Sequence, residues 1–331
     1  MWKVIKEVGI EISKKKIDSL VNIIALALAL YYIHVLWLKI ILTLFIVFSL
    51  YRISQSVMMI QKEKNIPLAV VVYGDETIRD AFIDDCLQEM EKIGFDEASY
   101  RSLGIDRDDW CISHPGDLSP NPEEWKRVVR EFQRKINLIR AKLKGPEFFH
   151  IFLKCRTGLA FGLGAAIGTW HNVVIYQEID GKFKPVIYLD NKLNHHKTHD
   201  IKTHPKSYDF IKFEIPENIT SPTLVSLNLS SHGPTEYIIK EAKKRNLSCV
   251  IIENTYNNTL SEEDWFKPAQ EVASVLLDLL KRAELEIYFS CPNAIAFAIG
   301  MALGDQSPAK IFQWFPKDNT YKFVLKLNEL E

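Results

Sequence analysis

Two stretches of this chain repeat one another, and the repeat constrains the fold more than any other feature. Residues 149–189 read against 285–327, without a gap through Gln177 and Gln313. Cys155 falls on Cys291, Ala160-Phe161 on Ala296-Phe297, Gly164 on Gly300 and Gly168 on Gly304. Ile175-Tyr176-Gln177 then falls on Ile311-Phe312-Gln313. A repeat of this kind is one supersecondary unit used twice. Each copy reads as a strand, a turn at the cysteine, a small-residue helix and a β-hairpin. The hairpins are expected to turn at Asp180-Gly181 and at Asp318-Asn319. The glycines and alanines of Leu159–Ile167 and Ile295–Leu303 predict helices that lie close on their own sheets.

Each copy has an opening unit upstream. Leu68–Tyr73 is an apolar, valine-rich run followed by Gly74-Asp75, and a helical pattern then runs from Thr77 to Ile93. Strand, glycine turn and helix is how an open α/β sheet begins. In the second copy Thr223–Leu229 is the strand, Ser230-Ser231-His232-Gly233 the turn and Thr235–Arg245 the helix. Asn121-Pro122-Glu123-Glu124 starts a further helix, with an Asn cap and proline at the first position. Gly145-Pro146 stops that helix after Lys144. The expected fold is therefore α/β: two related Rossmann-like halves, 67–190 and 220–331, joined by the polar segment 191–219.

The N-terminal part has a different composition. Between Asp18 and Arg52 the only charged residue is Lys39. That run is too long for one span, which needs roughly 20 helical residues. It predicts a two-helix transmembrane hairpin over 17–51, with spans at Ile17–His34 and Leu38–Tyr51 and a turn near Trp37 and Lys39. Lys14, Lys15 and Lys16 before it, and Arg52, Lys62 and Lys64 after it, would keep both ends in the cytoplasm. Trp2, Ile5, Val8 and Ile12 suit an amphipathic, interfacial 1–16. Residues 52–66 read as a linker or a helical extension. A cleaved signal peptide would need a shorter apolar run and a small-residue cleavage site. A buried helix pair in a soluble core is the other competing reading.

Net charge is −1, with 41 basic and 42 acidic residues, so nothing draws the chain to a DNA or RNA polymer. Five cysteines without a CxxC pair argue against a disulfide framework or a zinc ribbon, and for a reducing compartment.

The pattern of a strand, Cys155-Arg156-Thr157 or Cys291-Pro292-Asn293, then Leu/Ile-Ala-Phe-x-x-Gly and later Ile-Tyr/Phe-Gln resembles the SAVED domain. In that family two CARF-like halves form one sensor. With two spans in front, the chain resembles a transmembrane SAVED effector of CBASS antiphage defence. The resemblance implies a bacterial inner-membrane sensor of a cyclic di- or trinucleotide made by a partner CD-NTase. It also implies a chain that is not an enzyme and needs no cofactor or metal. On binding its ligand such a chain would form a homo-oligomer, disrupt the lipid bilayer and cause abortive infection.

A ligand of that class must be held by its phosphodiesters and its bases. In open α/β sheets the site lies beyond the carboxyl ends of the strands, where helix N-termini offer backbone N–H groups to phosphate. The candidate ligand residues are Gly74, Asp75, Lys154, Arg156, Thr157, Gly158, Ser230, Ser231, His232, Cys291, Pro292 and Asn293. Lys154 and Arg156 would supply charge to a phosphate, with Arg156 as a fork. Ser231, His232 and Asn293 would hydrogen-bond phosphate or base. Cys155 and Cys291 read better as buried packing.

Other motifs are weaker. His195 and His199 have i, i+4 spacing, but interleaved lysines make a mobile solvated loop the better reading than zinc. Asp106, Asp108 and Asp109 read as a polar turn or helix start rather than a Mg²⁺ site. A membrane-tethered hydrolase or ring nuclease using His232, Lys154 and the Asp106 group is the alternative function, and a protein-binding membrane scaffold a third.

Overall fold

The computed structural model describes residues 21–25, 27–28, 36–61, 64–72, 76–143, 147–190, 196–230, 233–255 and 265–330. The chain divides into two units, residues 1–62 and 63–331.

In the first unit α1 runs Leu36–Gln61, so the helix continues well past Tyr51 and takes up most of the expected linker. Its apolar side chains Ile40, Ile41, Leu44, Phe45, Val47, Phe48 and Leu50 are all exposed. Among the described residues no helix is long and apolar enough to cross a membrane. The expected transmembrane hairpin therefore has no support from the fold. Most of its first span, and all of 1–16, lie outside the described residues.

The second unit is α/β and built twice. Its first half contains β1 (Lys64–Val72), α2 (Glu76–Glu91), α3 (Glu97–Ser102), α4 (Arg107–Trp110), β2 (Cys111–His114), α5 (Pro122–Lys142), β3 (Glu147–Lys154), α6 (Thr157–Ile167), β4 (Asn172–Ile179) and β5 (Lys182–Leu189). The second half contains β6 (Ile211–Glu214), β7 (Thr223–Asn228), α7 (Thr235–Arg245), β8 (Cys249–Asn254), α8 (Phe266–Leu280), β9 (Leu285–Ser290), α9 (Asn293–Leu303), β10 (Ala309–Phe315) and β11 (Thr320–Lys326). The sheets have orders β2-β1-β3-β4-β5 and β11-β10-β9-β7-β8-β6. With β6 set aside, the second order is the first with each strand replaced by its repeat partner. In both, the last hairpin is antiparallel and the strands before it are parallel.

Local chemistry explains most boundaries. Asn121 caps α5 by accepting from the Glu123 N–H at 3.2 Å, as its sequence predicts. α5 then buries Trp125, Val128, Val129, Phe132, Ile136 and Ile139 at helical spacing, roughly 1.5–3 kcal/mol for each large side chain. Asp106 and Asp109 form a capping box on α4, which confirms the helix-start reading of that acidic cluster. Asp180 and Gly181 both take positive φ and close the first hairpin in two residues. The second hairpin differs: Pro316 to Asn319 make a longer connection, with only Asn319 at positive φ.

The segment between the halves is not a loose loop where it is described. Ile201 is fully buried, and Gln270 of α8 donates to the Asp200 carbonyl at 2.8 Å. His196 stacks on Phe266 with ring centroids 3.6 Å apart. Where described, 196–219 is thus a packed strap rather than a free loop, with the His199 side chain exposed as expected, while His195 lies outside the described residues. Among the described residues no cluster of His, Cys, Asp and Glu could hold a metal.

His150 of β3 is buried between Tyr176 Oη at 3.0 Å and Asn65 Oδ1 at 3.2 Å. Burial lowers its pKa from 6.5 to about 3. Between those values the unfolded chain binds a proton that the folded chain refuses, so stability is full above the unfolded value and falls as pH drops. The expected slope from this group approaches about 1.4 kcal/mol per pH unit. Urea midpoints measured from near neutral pH down to about pH 5 should fall more in the wild type than in His150→Asn. An equal fall in both would show that His150 carries none of the dependence.

Candidate functional site

The centre of the second unit is the crossing of α6 and α9. An added Cβ at Gly164 would run into the Phe297 carbonyl oxygen, and one at Gly300 into the Phe161 carbonyl oxygen. These are repeat-equivalent positions, so the two helices meet about a pseudo-twofold axis at glycine. Gly158 and Gly162 of α6 face Ile311 and Leu325 of the second sheet. The sequence placed these small residues against each helix's own sheet. In the fold they permit close approach to the other half.

The same crossing brings the two cysteine turns together. Asn293 Nδ2 donates to the Cys155 carbonyl at 2.8 Å, and Thr157 Oγ1 donates to the Cys291 carbonyl at 3.4 Å. The Gly158 N–H at the start of α6 donates to Gln313 Oε1 of β10 at 2.9 Å. Its counterpart, Ala294 N–H at the start of α9, donates to Gln177 Oε1 of β4 at 3.3 Å. Each glutamine therefore caps the helix of the opposite half. These caps use helix N–H groups that the sequence reserved for phosphate.

Arg156 is also engaged. Its Nε donates to Asp117 Oδ1 at 2.6 Å and its Nη2 to Asp117 Oδ2. Nη1 donates to the Trp314 carbonyl at 2.9 Å, and the guanidinium lies 5.1 Å from the centre of the Phe315 ring. Arg156 thus joins the loop after β2 to the β10–β11 hairpin of the other half. Lys154 is held more loosely, with Nζ 4.0 Å from Glu178 and 5.9 Å from the centre of the Phe82 ring. Ser230 and Ser290, at the ends of β7 and β9, share a hydrogen bond. Pro292 is the extended residue that caps α9.

Burial pushes the Cys155 thiol up to about 12 and raises that of Cys291 further. Both stay protonated, as expected for packing groups. Of the predicted ligand residues, the fold gathers Thr157, Gly158, Cys291, Pro292 and Asn293 at the pseudo-twofold, with Arg156 beside them. Lys154 and Ser230 lie at the strand ends leading to the turns. Gly74, Asp75, Ser231 and His232 lie outside the described residues. The Asp106 group is elsewhere, taken up by its capping box and by Lys142.

Sequence reasoning missed Gln177, Gln313, Asp117 and the Trp314 carbonyl. The glutamines carried a signal, because a polar residue repeated amid apolar strand neighbours asks for a buried partner. Asp117 carried none, being a turn acid among many.

Two pseudo-symmetric Rossmann-like halves, joined at the carboxyl ends of their parallel strands, define a duplicated α/β architecture. The profile of SAVED, the SMODS-associated and fused to various effectors sensor domain, matches residues 83–189 and 190–327, and the chain belongs to that family. Among solved structures, the Acinetobacter baumannii Cap4 SAVED/CARF-domain containing receptor with the cyclic trinucleotide 2'3'3'-cAAA is similar, at 13% identity and a TM-score of 0.51. The match covers 86% of this chain and 56% of that one. The same receptor with 3'3'3'-cAAA matches at 16% identity and a TM-score of 0.47, over 62% of this chain and 44% of that chain. The Moraxella osloensis Cap4 receptor matches at 16% identity and a TM-score of 0.44, over 63% and 43%. The chain spans about half the length of these receptors. No curated protein matches it.

Proposed function

We propose that this chain senses a cyclic di- or trinucleotide, made by a partner CD-NTase, in a CBASS-type defence. The observation that carries the reading is the meeting of the two cysteine turns about the pseudo-twofold, in a member of a sensor family. A cyclic ligand with repeated phosphodiesters suits a surface that presents related groups twice. Lys154, Arg156, Thr157, Ser230 and Asn293 are the groups offered, together with Gly74, Asp75, Ser231 and His232 of the neighbouring turns. Arg156 would meet a phosphate by releasing or sharing its bond to Asp117, and the Gln177 and Gln313 caps would hold the helix starts in place.

The reading includes a membrane. A helix that exposes Ile40, Ile41, Leu44, Phe45, Val47, Phe48 and Leu50 together, as α1 does, needs an apolar environment or a partner. Ligand would gather copies of the chain, and the gathered N-terminal segments would breach the inner membrane and end the infected cell. One hairpin per copy cannot enclose a pore, so the damage requires clustering.

The test is titration of the full chain in detergent with a panel of cyclic di- and trinucleotides, followed by light scattering and by dye release from vesicles. One member should bind, increase the mass and cause leakage. Arg156→Ala and Lys154→Ala should each weaken binding about tenfold or more, the loss expected of one charge-assisted phosphate contact. Absence of binding across the panel would end the sensor reading. Binding without growth in mass or leakage would end the effector mechanism alone.

A further inference from the structure

Arg156 is the only guanidinium within the two cysteine turns, because the second copy has Pro292 in its place. Its orientation is fixed from two sides. Nη1 donates to the Trp314 carbonyl at 2.9 Å, and the guanidinium lies over the Phe315 ring. The edge formed by Nε and Nη2 is the planar fork that can take two oxygens of a carboxylate or of a phosphate. Asp117 fills that fork with both of its oxygens, Oδ1 at 2.6 Å from Nε and Oδ2 on Nη2. A carboxylate and a phosphodiester each offer two oxygens that share a negative charge, so they compete for one fork.

The carboxylate is placed to leave without disturbing the fold. The Asp117 side chain is 45% exposed, against 21% for Arg156. The residues after it are anchored independently of the ion pair. Leu118 is buried in the core. Ser119 donates to Glu124 Oε2 through its N–H at 2.8 Å and its hydroxyl at 2.6 Å, and the Trp125 indole donates to the Ser119 carbonyl at 2.7 Å. Rotation of the Asp117 side chain alone therefore opens the fork. A pair this open to water is held only modestly, so a phosphate with contacts of its own can displace it.

We infer that Asp117 is an internal competitor: its carboxylate occupies the phosphate fork of Arg156 until a phosphodiester displaces it, and so sets how much cyclic nucleotide is needed to fill the site. The inference rests on the sensor reading above and names the regulation of that site. A binding-competent arrangement populated only in part lowers the apparent affinity by that fraction. Removing a competitor should therefore tighten binding, whereas removing a residue that merely steers Arg156 should weaken it.

The test titrates the full chain in detergent with cyclic diadenylate, cyclic diguanylate and cyclic triadenylate. Asp117→Ala should bind its cyclic nucleotide about three- to tenfold more tightly than the wild type, the range expected for a half-exposed bidentate ion pair. Asp117→Asn, which keeps the shape of the turn and removes the charge, should change in the same direction. The gain should vanish without the fork, so Arg156→Ala and the double variant Arg156→Ala/Asp117→Ala should bind alike. If the wild type binds and Asp117→Ala binds equally or less tightly, the competitor is wrong and the sensor reading stands. A gain that persists in the Arg156→Ala background would mean general repulsion by the carboxylate, and would also overturn competition for the fork. If neither the wild type nor Asp117→Ala binds any of the three, the sensor reading fails and the competitor fails with it.

Discussion

Gly164→Ala is expected to lower the stability of the second unit by roughly 2–4 kcal/mol, at the upper end of what an inserted methylene costs in a packed core. Two effects oppose each other. Alanine is the better helix former, by about 1 kcal/mol in a helix interior. The added methyl, however, would run into the Phe297 carbonyl oxygen, which is backbone and cannot swing aside as a side-chain end could. The two helices would have to separate, and they form the centre of one core shared by both halves. Gly300→Ala should cost about as much, because its methyl would meet the Phe161 carbonyl oxygen. Gly162→Ala is the control. Its methyl would lie 2.5 Å from Leu325 Cδ1, a flexible side-chain end, so repacking should make that loss smaller. Urea unfolding of the three variants decides the matter. Stabilities ordered with Gly162→Ala lowest would mean that the helices do not cross at Gly164 and Gly300.

The same glycines show what the sequence made legible. Their repeat spacing revealed two related halves, and the matching strand orders confirm that reading. A glycine in a helix announces close approach, but spacing alone does not say to which surface. Both helices were read against their own sheets for that reason. Gln177 and Gln313 stood in the aligned segments, yet a capping contact with the opposite half depends on how the halves dock. Arg156 was recognised as a strong cation, while its partner Asp117 is distant in sequence and lies in a turn without periodicity. The short strands β2 and β6 offer too few residues for an alternating pattern to emerge. In α1 the apolar run was plain, but the helix continues through Arg52 to Gln61, because nothing after Tyr51 breaks it.

Glu271 went unremarked in the sequence, and removing its carboxylate should have the largest effect on the second half. It is 2% exposed on α8, and its two oxygens accept from three successive backbone N–H groups: Asp209 at 2.9 Å, Phe210 at 2.9 Å and Ile211 at 3.1 Å. This contact turns the polar segment between the halves into an ordered strap and starts β6. Glu271→Ala would leave those three donors without their acceptor, at about 1–3 kcal/mol for each one that water cannot reach, or roughly 3–5 kcal/mol together. Glu271→Gln keeps one acceptor oxygen and should lose about half as much. The damage should also be local. Because β6 covers the outer edge of β8, freeing it would expose unpaired strand groups and favour aggregation. Hydrogen exchange of residues 209–214 should accelerate in Glu271→Ala before the α6–α9 core opens. Unchanged protection of that segment would show that the strap is held by its apolar contacts, with the carboxylate a bystander.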